Sequence, residues 1–162
     1  MLIKKALEDY RQGAVGSLMD EYERAAFELK SLIKNVGAED YTRIVRGESA
    51  HCHSIEVIMN HVVRAGYGYS KYIRDALSMN ALPVEDKQIP HAEIGGEIDK
   101  MLAYTAEIFD GRRQMTDEEM ENVYFKTRWE VIYNIDQLFE HAIVHILRHR
   151  RQIEKFLLKF ES

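Results

Sequence analysis

The sequence is poor in residues that staple or interrupt a chain. One cysteine in 162 residues cannot form an internal disulfide, and it excludes a multi-cysteine metal cage. Two prolines and nine glycines leave long stretches where helices can run unbroken. Basic residues number 22 against 27 acidic ones, a net charge of −5, so no cationic excess exists to hold a phosphate backbone and nucleic acid is not the expected partner. No segment reaches the roughly 18 uninterrupted apolar residues of a membrane span. The start, Met1-Leu2-Ile3-Lys4-Lys5-Ala6-Leu7-Glu8-Asp9, turns acidic before a signal peptide's apolar core can form. The expectation is a cytoplasmic protein with a small-molecule partner. What is present is a hydrophobic fraction of 46% and a charged fraction of 30%, enough for one continuous core over a single domain, residues 1–162. No internal repeat or low-complexity tract interrupts it. Seven histidines are the feature to explain.

Four amphipathic segments follow from the 3.6-residue period. The first runs from about Leu7 to Asn35, with Leu18, Tyr22, Ala25, Leu29, Leu32 and Val36 on one stripe and Gly37 as its stop. A polar connection, Ala38 to His53, leads to a second helix capped by Ser54 and reaching about Met79. Its stripe is Ile58, Val62, Ala65, Tyr69, Tyr72 and Ala76; Gly66 and Gly68 either admit a close neighbour or are merely tolerated. Pro83 and Pro90 mark a linker, and the third helix spans Ala92–Asp110 with Gly111 ending it. Between Arg112 and Tyr133 the pattern is poor. Thr116 and Glu119 form a capping box for a helical turn, and Val123, Phe125, Thr127 and Trp129 alternate as in a short extended piece. The fourth helix starts at an Asn134/Gln137 cap and continues to Phe160. The fold class is all-α: a four-helix bundle with long crossover connections before the second and fourth helices.

On a wheel at about 100° per residue, Leu138, Ala142, Ile153, Phe156 and Phe160 of the fourth helix fall within about 60° of one another. His149 lies inside that cluster, His145 about 40° to one side, and His141 about 40° further toward the flank. Two imidazoles one turn apart thus point into the bundle, and His61 on the second helix offers a third. Such histidines either hydrogen-bond internally or bind a cation. Three neutral nitrogen donors suit zinc or nickel, and three protein ligands leave coordination positions open, as in catalytic sites. The pair lacks the HExxH glutamate of a zincin protease. Glu48-x-x-His51 is the one Glu-x-x-His in the chain, so the di-iron carboxylate class is also set aside.

The run from His141 to Ile153 resembles the C-terminal helix of the DinB-like superfamily, which commonly carries H-x-x-H-H-R-G-Q-[IL]. His145 matches its first histidine, His149 its last, and Arg150, Gln152 and Ile153 its tail. Ser54-Ile55-Glu56-Val57-Ile58-Met59-Asn60-His61 is similar to the family's S-[IV]-x-x-[IL]-[IL]-x-H. The resemblance implies a four-helix bundle along most of the chain, with His61, His145 and His149 holding a divalent metal, most often zinc or nickel. Known activities in the family include bacillithiol transfer and a mycothiol-dependent maleylpyruvate isomerisation. Arg148 and Arg151 depart from the pattern, where a histidine and a glycine are usual. Neither is an implied ligand, so the departures bear on substrate and on any low-molecular-weight thiol cofactor.

Further residues carry secondary expectations. Cys52, just before the second helix, is either incidental, a nucleophile or an extra ligand. Tyr69 packs in the core or serves as a proton donor near the metal. Arg148, Arg150 and Arg151 point in separate directions and form no single basic face. Val144 and Leu147, off the core stripe, are scattered surface residues or a homodimer contact. The leading expectation is a metal-dependent hydrolase or thiol transferase; a non-enzymatic stress-response bundle with structural histidines is the alternative, and metal sensing or storage a third.

Overall fold

A computed structural model describes residues 5–109 and 115–161. Four long helices carry the architecture: α1 (Gly13–Ile33), α3 (Ile55–Ala76), α4 (His91–Ala106) and α6 (Ile135–Glu161). Their connections hold two short helices, α2 (Ala38–Thr42) and α5 (Asp117–Asn122), and a hairpin of β1 (Tyr124–Lys126) and β2 (Ile132–Asn134). The four-helix bundle read from the sequence is the fold.

The helices form a ring in the order α1, α4, α3, α6. Residues 34–54 and 107–134, the long connections before the second and fourth long helices, therefore each join helices that sit diagonally. Side-chain contacts give the directions. Tyr22 meets Phe139 and Glu28 pairs with Arg150, so α1 and α6 run parallel. Gly66 abuts Met101 and Ser70 bonds Thr105, so α3 and α4 are parallel too. His61 meets His149 while Tyr69 meets His141, so α3 and α6 are antiparallel. Parallel neighbours α3 and α4 need a connection as long as the bundle, and residues 77–90, with both prolines, supply it.

The apolar stripes point where the periodicity places them, with shifts at the ends. Ile94, Ile98, Met101, Thr105 and Ile108 are all buried, as are Tyr22, Ala25, Leu29 and Val36. Leu18 and Leu32 are only half-buried, because Met19, Ala26 and Ile33 centre the face of α1 one residue further on. Ala76, expected inward, is exposed at the end of α3.

The first helix does not start at Leu7. Leu7–Asp9 make a 3-10 turn, and the α-helix begins at Gly13, whose φ of 75° lies in the left-handed region. Asp20 causes the fold-back: its buried carboxylate accepts from the Arg11 backbone N–H at 3.1 Å, the Arg11 guanidinium at 2.6 Å and Lys5 at 2.7 Å. A buried carboxylate needs such partners, and meeting them bends the chain out of helix. The third helix closes at Ala106; its expected end, Asp110, and stop, Gly111, lie outside the described residues, as do Met1 to Lys4. The 38–53 connection contains α2, whose Tyr41 is buried against the His91 ring at 4.7 Å. Of the extended piece expected at 123–129, Tyr124–Lys126 is one arm of a hairpin, with Phe125 opposite Tyr133, while Arg128 and Trp129 lie in its turn.

The two helix glycines differ. A Cβ on Gly66 would lie 2.2 Å from Met101 Sδ and 3.1 Å from Tyr22 Oη, inside the core; one on Gly68 would meet nothing within 4 Å. Gly66→Ala is therefore expected to destabilise the protein by about 1–3 kcal/mol through overpacking. Gly68→Ala should stabilise it by about 0.5–1 kcal/mol through helix propensity. Urea melts of the two variants check the opposite signs.

Candidate metal centre

Each histidine of the site is set by a local device. Ser54 caps α3, its Oγ accepting from the Val57 N–H at 3.2 Å, and the helix then carries His61 into the seam with α6. At the start of α6, Asn134 Oδ1 accepts from the Gln137 N–H at 2.8 Å and Gln137 Oε1 accepts from the Asn134 N–H at 3.2 Å. This reciprocal cap, expected from the sequence, fixes the start of the helix that presents His141, His145 and His149 on successive turns.

The antiparallel seam brings His61, His145 and His149 together. The Nε2 atom of His145 lies 2.9 Å from that of His61 and 3.2 Å from that of His149. Ring centroids are 4.5–5.0 Å apart. Among the described residues these three form the cluster with the geometry to hold a metal ion, with one ligand atom from each residue and all such atoms within 4.8 Å of one another. Cys52 is not part of it; its Sγ contacts Ser49 Oγ at 3.3 Å, and residues 38–53 do not carry it into the cluster.

The donor chemistry fits a divalent cation. Burial, followed by repulsion from neighbouring cationic groups, pushes the pKa of His61 down to about 4 and that of His145 to about 3. His149 moves the same way, mainly through burial. All three are thus neutral at physiological pH, the state in which imidazole ligates metal. His149 Nδ1 lies 3.2 Å from Gln152 Oε1, so it carries the proton and leaves the Nε2 lone pair facing the cluster. Four-coordinate zinc with Zn–N near 2.0–2.1 Å needs ligand nitrogens about 3.3 Å apart, a few tenths of an ångström wider than the closest pair.

Aromatic side chains wall the site. Tyr69 is buried with its ring 5.7 Å from that of His145, edge to face, and burial pushes its phenol pKa up. Trp129 stacks on His141 at 5.8 Å and 24°, and His141 Nδ1 lies 3.2 Å from Tyr133 Oη. The hairpin within the 112–133 connection thus contributes Trp129. A hollow of about 500 Å³ lined by Val131, Ile132, Tyr133, His141 and Val144 opens beside this wall. A cavity of about 400 Å³ between α1 and α4 includes none of the three imidazoles. Val144 and Leu147 are exposed on α6, and Arg150 is tied to Glu28 and Glu154. Sequence reasoning missed Trp129 and Tyr133 as neighbours of the site. Their available signal was the alternation at 123–129, which marks a strand without showing where it docks.

A helical bundle whose two antiparallel helices present three neutral imidazoles to one point has the layout of a mononuclear metal centre. The chain belongs to the DinB family, whose family model matches residues 10–158. No curated protein matches it. Among the described residues, no helix is long and apolar enough to cross a membrane.

The depressed histidine pKa values make stability depend on pH. Between the unfolded value near 6.5 and folded values of about 4 and 3, the unfolded chain binds more protons, so stability falls with falling pH. The metal-free protein should therefore keep its stability above pH 6.5 and lose it steadily from there toward pH 4. His145→Gln is expected to flatten that loss. Thermal melts across the range check both, and a variant slope equal to that of the wild type contradicts the assignment.

Proposed function

We propose that the protein is a metal-dependent enzyme in which His61, His145 and His149 hold one divalent cation, zinc or nickel, through their Nε2 atoms. The convergence of those three atoms from two helices carries the reading. When bound, the metal supplies Lewis-acid chemistry to a water or a low-molecular-weight thiol, for hydrolysis or for transfer to an electrophilic small molecule. Gln152 holds the His149 tautomer, and the Tyr69 ring packs edge to face against the His145 ring. Tyr69, a neutral phenol whose ring lies against His145, is the candidate hydrogen donor on this side of the site.

Separations of 2.9 and 3.2 Å also suit hydrogen bonds shared among imidazoles, which favours a non-enzymatic bundle as the second reading. Metal analysis separates the two. Wild-type protein purified without a histidine tag should carry about one equivalent of metal, and His145→Ala/His149→Ala essentially none. Chelation should lower the Tm of the wild type only. Equal metal content in the two proteins, or none in either, overturns the enzymatic reading.

A further inference from the structure

The chain is acidic overall, 27 carboxylates against 22 basic side chains, yet two arginines, Arg128 beside Trp129 and Arg148 on α6, belong to the segments that wall the site. Among the described residues, Arg64, Arg128 and Arg148 help to push the pKa values of the three imidazoles down. Arg64 is engaged with Asp86 at 2.8 Å. Arg128 and Arg148 have no carboxylate partner among the described residues, unlike Arg11, Arg24, Arg43, Arg74 and Arg150. Both are exposed.

Their positions are built by the fold. The Arg128 N–H donates to Tyr72 Oη at 2.8 Å, and Thr127 closes the hairpin turn with its N–H and Oγ1 each 2.9 Å from the Val131 carbonyl. The next residue, Trp129, is the one stacked on His141. Arg148 sits on α6 between the turns of His145 and His149. Three imidazole ligands contribute no negative charge, so a divalent cation held by them keeps its full double charge and adds to the two guanidiniums. Two unpaired guanidiniums beside an aromatic wall match an oxyanion attached to a flat or apolar body.

We propose that the mouth of the site selects a small organic anion, with Arg128 and Arg148 binding its carboxylate or phosphate group and Trp129 packing on its apolar part. The proposal rests on the preceding reading for the place of the reacting centre, whereas the two arginines act on the anion with or without metal. They determine specificity and do not touch the bond that changes.

The test is calorimetric titration of the full chain, zinc-loaded and metal-free, with benzoate, phenyl phosphate and the uncharged benzamide. At least one of the anions should bind wild type about tenfold or more tighter than benzamide. Which anion does so identifies the group as carboxylate or phosphate. Arg128→Gln and Arg148→Gln should each weaken it several-fold, and Arg151→Gln, exposed on the same helix, should leave it unchanged. Equal binding of anions and benzamide, binding of none of the three, or equal weakening by Arg151→Gln overturns the proposal. Metal content is measured in parallel. Arg128→Gln/Arg148→Gln protein that keeps its metal but loses anion preference supports the proposal; wild type that holds no metal yet selects anions through these arginines sinks the enzymatic reading alone.

Discussion

Three uncharged imidazoles pressed against one another between α3 and α6 are the constraint from which the rest of the site follows. Each ring has one nitrogen that must donate and one that must accept, and a buried group left unmet costs about 1–3 kcal/mol. Here the three Nε2 atoms are partners to each other, with His145 between His61 and His149. A slide of one turn along the seam would separate them and strand polar atoms in an apolar wall that includes Ile58, Val62 and Ala142. The same contact also pins the register of two helices.

The framework around this seam is built to keep it still. The Ser54 cap and the reciprocal Asn134–Gln137 cap set where α3 and α6 begin. Tyr22 reaches Met101 from α1 beneath Gly66, so α3 approaches α4 closely on the side away from the histidines. On the open side the hairpin lays Trp129 against His141 and Phe125 against Tyr72. The rigid elements hold the histidines, while the connection supplies Trp129 to the wall beside them, the usual division of labour between scaffold and loop.

The helices and the imidazoles were legible because both rest on local rules. Periodicity places His145 and His149 on the buried face of α6 and His61 on or near the stripe of α3, and the family resemblance adds that the three act as one set. Capping residues located the starts of α3, α5 and α6 within a residue or so. Long-range effects were not legible. The carboxylate of Asp20 pulls Arg11 out of helix, and no pattern within residues 7–13 reveals that distant partner. α2 is shorter than two helical turns, too short for periodicity to register. The β1–β2 pairing places Trp129 against His141, which depends on register across a turn and on docking to Tyr72.

The diagonal wiring has a consequence for synthesis. His61 emerges on the second long helix, but its two companions belong to the last, after the span of residues 77–90 and the whole of α4 have been made. A growing polypeptide therefore exposes one isolated imidazole from this trio while residues 62–144 are made, and a single such donor holds a transition ion only weakly. All three donors converge only when α6 docks antiparallel to α3, so an intact trio is a readout of completed assembly.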